Sequence, residues 1–285
     1  MSLWEHIEQT TIEYKALLLT GQVLDIQKFN MVSITHHSTR IEGSTLSENE
    51  TSLLLEEGIT AKGKPLDQQL MVQDHYNALK DVLELAQKKQ TITPDLLCGI
   101  AAAVMKRTGT SVNAAAGSWD ASKGEFRKAA VRSQKQYYAA YDKVPDLVKQ
   151  LCKHLQEKIK SVQTTREVLE LAFSAHYNLV QIHPWSDGNG RTSRLLMNFI
   201  EHYHNQPLTL VRSENKQEYI DAILASKDSE DLRYITEFLA QEHLNHLAEE
   251  IKLFKSQFLD RSQSQDKSNS QENDSSKNKG FTLLF

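Results

Sequence analysis

His183-Pro184-Trp185-Ser186-Asp187-Gly188-Asn189-Gly190-Arg191-Thr192-Ser193-Arg194 is a polar, glycine-containing run set between two apolar stretches of helical period. Upstream, Arg166 to Ile182 is apolar nearly all round, with Val168, Leu169, Leu171, Phe173, Leu179 and Val180 among its residues. A helix apolar on every side is a buried one, so this stretch reads as the central helix. Downstream, Arg191 to Tyr203 is helical again. The run therefore ends one buried helix and opens another. A helix N-terminus presents unpaired N–H groups and a partial positive charge. Gly188 and Gly190 let the backbone approach an anion closely, which makes the run an anion-binding nest. Arg191 and Arg194, spaced i and i+3, share a face of the first turn, and two guanidinium groups there suit a polyphosphate. Asp187 stands where a hard cation, Mg²⁺, would bridge phosphate oxygens. His183, held by Pro184 at the far lip, has the titration range of a general base. A plain surface turn would explain Asp-Gly and Asn-Gly, but not a histidine, an acid and two phased arginines in the same run. The phosphate loop GxxxxGK(S/T) is absent.

The rest of the chain is read outward from this run. Residues 1–30 form one or two helices, and Ile34 to Glu42 is a short helical stretch that Gly43 ends. Ser47 and Glu50 make a capping box for a helix over Thr51 to Glu57. Leu66 to Gln87 is helical, and Thr93-Pro94 opens a helix to about Arg107. Residues 109–144 break the helical pattern, with short strands expected near Val131 and Tyr137 to Tyr141. Helix resumes at Pro145, and again over 214–226 and 230–258. After Asp260 the composition falls to Ser, Gln, Asn, Asp and Lys, which cannot bury enough apolar surface to offset ordering, so 261–285 reads as a disordered tail.

Composition is that of an ordinary globular protein, 39% hydrophobic and 25% charged. The net charge of −4 argues against a nucleic-acid coat. No run reaches the length of a membrane span, and residues 1–10 lack the pattern of a signal peptide. Cys98 and Cys152 lie far apart and read as core residues of a protein in the reducing cytoplasm. His243 and His246 read as part of a solvated helix face, and His176 as a satisfied core histidine.

The run 183–194 resembles the Fic-family signature HxFx(D/E)GNGRxxR, with Trp185 in place of the phenylalanine. The resemblance covers about residues 30–245 and implies an all-α fold: a Fic-type helical core with a short β-hairpin flap. It divides the chain into an N-terminal helical region (1–90) with an inhibitory helix at about 33–43, a core (91–260) and the tail (261–285). It also implies an enzyme that moves AMP from ATP onto a Ser, Thr or Tyr hydroxyl of a target protein. By the same carry-over His183 deprotonates the hydroxyl, and Asp187 holds Mg²⁺. Gly188, Asn189 and Gly190 hold the phosphates, the asparagine by its side chain. Arg191 contacts the α/β region and Arg194 the γ-phosphate. Gly124-Glu125-Phe126-Arg127 with Val131 is similar to the family's GxYRxxxV run, which places the flap within 128–144. Arg212 to Ile223 resembles the helix that closes the adenine pocket, with Tyr219 as its wall.

Ser38-Thr39-Arg40-Ile41-Glu42-Gly43 is similar to the family's inhibitory motif (S/T)xxxE(G/N). Ser38 and Glu42, at i and i+4, project from one helix face, and Glu42 paired with Arg194 would block the γ-phosphate. The alternatives are transfer of another phosphate-containing group, removal of AMP with Glu42 activating water, or a non-catalytic adaptor. The resemblance is compatible with a homo-oligomer, and it implies neither a nucleic acid nor a membrane as partner.

Overall fold

The structure, a computed structural model, describes residues 1–19, 26–132 and 136–277. The fold is all-α with one small hairpin. Its elements are α1 (Leu3–Leu18), α2 (Ile26–Ile41), α3 (Glu48–Glu56), α4 (Leu66–Gln87), α5 (Pro94–Val104), β1 (Ser111–Ala114), β2 (Gly117–Asp120), α6 (Val144–Lys158), α7 (Thr165–Ile182), α8 (Asn189–Tyr203), α9 (Lys216–Asp228) and α10 (Arg233–Lys277).

Local chemistry sets the helix starts. Ser47 and Glu50 close the capping box of α3, with Glu50 N–H on Ser47 Oγ at 3.2 Å and Ser47 N–H on Glu50 Oε2 at 2.7 Å. Thr164 and Glu167 do the same for α7. Thr93 caps α5, with Pro94 in its first turn. α7 is the central helix, as its apolar surface requires, and its most extensive neighbour is α8. α8 in turn packs on α4, and the first three turns of α8 are almost wholly buried. Cys152 lies in this core and Cys98 is half-buried. Among the described residues no helix is long and apolar enough to cross a membrane.

The structure departs from the sequence reading at four places. The helix carrying Ser38 begins at Ile26, well before Ile34. The hairpin lies at 111–120, pairing Val112 with Trp119, while the 128–144 segment holds a single antiparallel bridge, Arg132 to Tyr137, among its described residues. Tyr141–Lys143 is a 3-10 turn, not a strand. The carbonyls of Ala129 and Ala139, which a cross-strand ladder would use, instead accept from the Arg127 guanidinium at 2.8 and 2.6 Å. His243 and His246 are buried, 0% and 4% exposed, because α10 packs against α1, α7 and α9. His243 Nδ1 meets Thr209 Oγ1 at 2.8 Å, and His246 Nε2 lies 3.4 Å from Glu250. Finally, α10 continues through 261–277, where a disordered tail was expected; residues 278–285 lie outside the described residues. Once a helix is nucleated, each further residue adds a hydrogen bond, so a polar stretch extends one that is docked upstream.

The buried histidines make stability depend on pH. Burial pushes His176, His243 and His246 down to about 3, and His36 and His183 to about 4. The unfolded chain takes up these protons near the ordinary value of 6.5. Folding is therefore progressively opposed as pH falls below that value. Glu201 and Glu250, raised by burial to about 7 and about 8, act the other way: their contribution is lost as pH rises through those values. Histidines outnumber them, so the thermal midpoint should fall between about pH 6.5 and about pH 4.5. Equal midpoints at the two pH values would contradict the burial of neutral imidazoles.

Candidate active site

The buried helix α7 ends at His183, which caps it in the left-handed region at φ 51° and donates its N–H to Leu179 O at 3.0 Å. Histidine tolerates this region better than most side chains, and such backbone conformations gather at functional sites. The following loop is fixed from within. Trp185, 1% exposed, donates its indole N–H to Gly124 O at 2.9 Å. Asn189 Oδ1 accepts from Trp185 N–H at 3.0 Å, and Asn189 Nδ2 donates to Trp185 O at 2.8 Å. The Asn189 amide thus closes the loop with one donor and one acceptor, and leaves its second N–H and second lone pair outside those two bonds. Gly188 also serves the loop. Its φ is +78°, and a Cβ there would stand 2.9 Å from Met105 Sδ.

Gly190 faces the other way. A Cβ on it would lie 2.4 Å from Glu42 Oε1 and 3.1 Å from Arg194 Nη1, so the anion-facing side of the α8 N-terminus is at Gly190. Arg191 and Arg194 are both buried, 2% and 4% exposed. Arg191 reaches Asp187 Oδ1 at 3.2 Å and Met105 Sδ at 3.2 Å, while its Nε and Nη1 are buried without a hydrogen-bond partner. Orphaned guanidinium donors beside an exposed carboxylate fit a polyphosphate with one hard cation. Asp187, its side chain 65% exposed, has Oδ1 engaged by Gly188 N–H and Arg191. A single carboxylate suits Mg²⁺, which takes most of its ligands from water and phosphate.

Arg194 is held by α2. Its Nε donates to Ser38 Oγ at 2.9 Å, and its Nη2 to Ser38 O at 2.9 Å and Glu42 Oε1 at 2.7 Å. The i, i+4 spacing of Ser38 and Glu42 therefore brings both onto one guanidinium, while Gly43, at φ 107°, turns the chain away. Burial pushes the Glu42 carboxyl up, but Arg194 and Arg191 outweigh it and hold it below the ordinary carboxylate value. Burial likewise works against the Arg194 charge, and Glu42 more than restores it.

Several residues the sequence reading quoted without a role, or passed over, complete the site. Arg127, 1% exposed, donates to His183 O at 2.7 Å as well as to Ala129 and Ala139, and its N–H reaches Pro184 O at 3.0 Å. It ties the 129–139 segment to the backbone of His183. The Tyr138 ring stacks on the His183 ring, centroids 3.7 Å apart. Lys227 Nζ on α9 donates to Tyr137 O at 3.0 Å. A cavity of about 470 Å³ connects His183, Glu42 and Arg194 with an apolar end formed by Val180, Ile220, Ile223 and Leu224. Tyr219 borders it but is 4% exposed, and its hydroxyl is committed to His176 Nε2 at 2.6 Å. The apolar end therefore depends on its neighbours as much as on Tyr219. The arginine of the GEFR run, Tyr138 within 128–144 and Ile220 within 212–223 lay in segments the sequence singled out, though not as individual residues; Lys227 carried no signal.

The sequence model of the Fic/DOC family matches residues 91–200. A protein adenylyltransferase Fic from Aedes aegypti is 31% identical over 208 residues, covering 72% of this chain and 38% of the relative. One from Nematostella vectensis is 30% identical over 211 residues, 72% of this chain and 45% of the relative. The chain thus spans less than half the length of these relatives. Among solved structures, a Fic domain containing signaling protein from Bacteroides thetaiotaomicron has the same fold, with TM-score 0.74 at 24% identity over 88% of this chain and 97% of the other. Fic-1 from C. elegans gives 0.70 at 23% identity, over 88% and 70%.

Arg127→Met keeps the apolar stem and removes donors to three elements of the site. It should destabilise the fold by about 3 kcal/mol, since each hydrogen bond from a charged group contributes about 1.5–3 kcal/mol. Hydrogen exchange should also quicken at the described residues of 128–140. An unchanged midpoint would show that Arg127 does not hold this segment to the loop.

Proposed function

The chain belongs to the Fic/DOC family, and on that premise we propose that it transfers AMP from ATP to a Ser, Thr or Tyr hydroxyl of a target protein, restrained by Ser38 and Glu42. The observation that carries the reading is that a neutral, half-buried histidine, His183, and a buried arginine, Arg194, line one cavity together with Gly190 of the first turn of α8. The curated relatives, named as protein adenylyltransferases, support it.

In this reading the triphosphate lies along Gly190 and the α8 N-terminus. The orphaned donors of Arg191 take the α/β region, and Arg194 the γ-phosphate. Asp187 holds Mg²⁺, whose chemistry when bound is to neutralise phosphate charge. The adenine takes the apolar end of the cavity. His183, pushed down to about 4 by burial, is uncharged at neutral pH and ready to accept a proton. It removes the proton of the target hydroxyl as that oxygen bonds to the α-phosphorus. The bond from the α-phosphorus to the bridging oxygen breaks, and pyrophosphate departs. The protein's share is positioning and charge stabilisation.

The brake follows from one guanidinium having two claimants. With Glu42 against Gly190 and paired with Arg194, the place for the γ-phosphate is taken by a carboxylate. Breaking one side of a buried pair of this kind is worth several kcal/mol, and each 1.4 kcal/mol or so is tenfold in rate.

Glu42→Gly should therefore raise self-labelling with AMP by roughly one to three orders of magnitude, read by mass spectrometry after incubation with ATP and Mg²⁺. His183→Ala in that background should cost about 10²–10⁴-fold while ATP binding persists. No gain in folded Glu42→Gly would remove the brake from the reading; undiminished labelling in the double variant would remove His183 as the base.

A further inference from the structure

The helix that carries Ser38 and Glu42 has another foothold one residue before Ser38. His37 of α2, its side chain 14% exposed, meets the turn Ser213–Asn215 that leads into α9. Ser213 N–H donates to His37 Nδ1 at 3.2 Å, and Ser213 Oγ lies 3.0 Å from the same nitrogen. That turn is itself held to α10. Glu242, 2% exposed, accepts from Arg212 N–H at 2.6 Å and from Asn215 Nδ2 at 2.7 Å, and Arg212 Nη2 donates to Glu249 Oε2 at 2.6 Å. On its other side the turn runs directly into α9, whose Lys216, Ile220 and Leu224 line the cavity. We propose that His37 is a latch that positions α2 on the 212–215 turn, and that this latch sets how firmly Ser38 and Glu42 hold Arg194. The inference rests on the reading of α2 as the brake.

The chemistry of the groups fixes the protons. A backbone N–H can only donate, so His37 Nδ1 accepts and carries no proton, and the ring proton is on Nε2. The Ser213 hydroxyl then meets the same nitrogen as a second donor. Glu214 Oε2, 3.4 Å from Nδ1, faces a lone pair and adds no hydrogen bond in this arrangement. Burial pushes the ring below the ordinary histidine value, in keeping with a neutral imidazole. Consecutive residues of a helix point in different directions, and here three of them meet three different elements. His36 Nδ1 lies 3.3 Å from Thr51 Oγ1 of α3, His37 meets the turn, and Ser38 meets Arg194 of α8. A helix held on several flanks cannot roll about its axis. Freed on the His37 flank, α2 can roll and draw Glu42 off the guanidinium. His37 is a positioning residue in this scheme; it acts through Ser38 and Glu42.

The test uses His37→Phe, which keeps a ring and removes the acceptor, beside His37→Asn, which returns an acceptor oxygen near the place of Nδ1. With Glu42 intact, His37→Phe should raise self-labelling with AMP about tenfold, the order of one partly buried hydrogen bond, and His37→Asn should restore the restraint. In the Glu42→Gly background, where no brake remains to be positioned, His37→Phe should leave labelling within about twofold. A gain that persists in that background places His37 in the nucleotide site and overturns the latch. So does unchanged labelling in His37→Phe when Glu42→Gly does release the enzyme. Hydrogen exchange without nucleotide separates this inference from the one it rests on. His37→Phe should quicken exchange over residues 33–42, and His37→Asn should slow it again. If Glu42→Gly gives no gain, the brake falls, and quickened exchange still upholds His37 as an anchor of α2; unaltered exchange overturns the latch whatever the labelling shows. The unaltered protein supplies a check that needs no variant. NMR of the imidazole nitrogens at neutral pH should find the His37 proton on Nε2, and a proton on Nδ1 contradicts the bond from Ser213.

Discussion

A guanidinium that is 4% exposed at the head of α8 has to be given a counter-charge, and the architecture around the site follows from that need. Removing such a group from water costs several kcal/mol unless an anion and well-placed acceptors replace the lost hydration. Arg194 finds them in α2, whose Ser38 side chain, Ser38 carbonyl and Glu42 carboxylate surround it. The same positive field is reinforced by Arg191 one helical turn away and by the N–H groups of the helix start. The site is therefore an anion trap before any nucleotide arrives, and α2 supplies the resident anion. A helix far upstream in sequence is docked on the core by the chemistry of the site it covers.

The second constraint is the backbone of His183. His183 sits in a left-handed conformation at the end of α7, and its carbonyl is held by Arg127 at 2.7 Å. Because Arg127 also bonds Ala129 and Ala139, the 129–139 segment and His183 share one junction. Lys227 then ties this segment to α9, the helix that lines the apolar end of the cavity. The apolar end of the cavity, the 129–139 segment and His183 are thus linked through two cationic side chains that donate to backbone carbonyls.

Much of this was legible in the sequence where the signal was local. The capping box at Ser47 and Glu50, the apolar stripe of Leu66 to Gln87 and the all-round apolar run ending at Ile182 each fix an element from short-range physics. The phased pair Ser38 and Glu42 was also readable, since i, i+4 residues share a face whatever the tertiary context. What failed was the inference of direction from residue type. Asn189 also closes the loop on the backbone of Trp185, a contact its residue type alone does not announce. His243 and His246 looked solvated, but the faces of α10 are decided by helices packed from distant parts of the chain. The hairpin at 111–120 escaped notice because two four-residue strands show too little alternation to be told from a loop. Arg127 and His176 were visible as letters, but their partners lie more than 40 positions away in the chain, 56 from Arg127 to His183 and 43 from His176 to Tyr219.

The Tyr138 ring lies nearly parallel to that of His183, 17° from coplanar and 3.7 Å away. One face of the imidazole is thereby closed to solvent and to any approaching group. A proton is accepted in the plane of an imidazole, along the nitrogen lone pair, so the covered face leaves that direction open. It does remove half of the approach cone available to a water molecule or a wandering side chain. Approaching groups are then sorted by angle: one that enters edge-on meets a ring nitrogen, and one that comes from the Tyr138 side meets an aromatic shield.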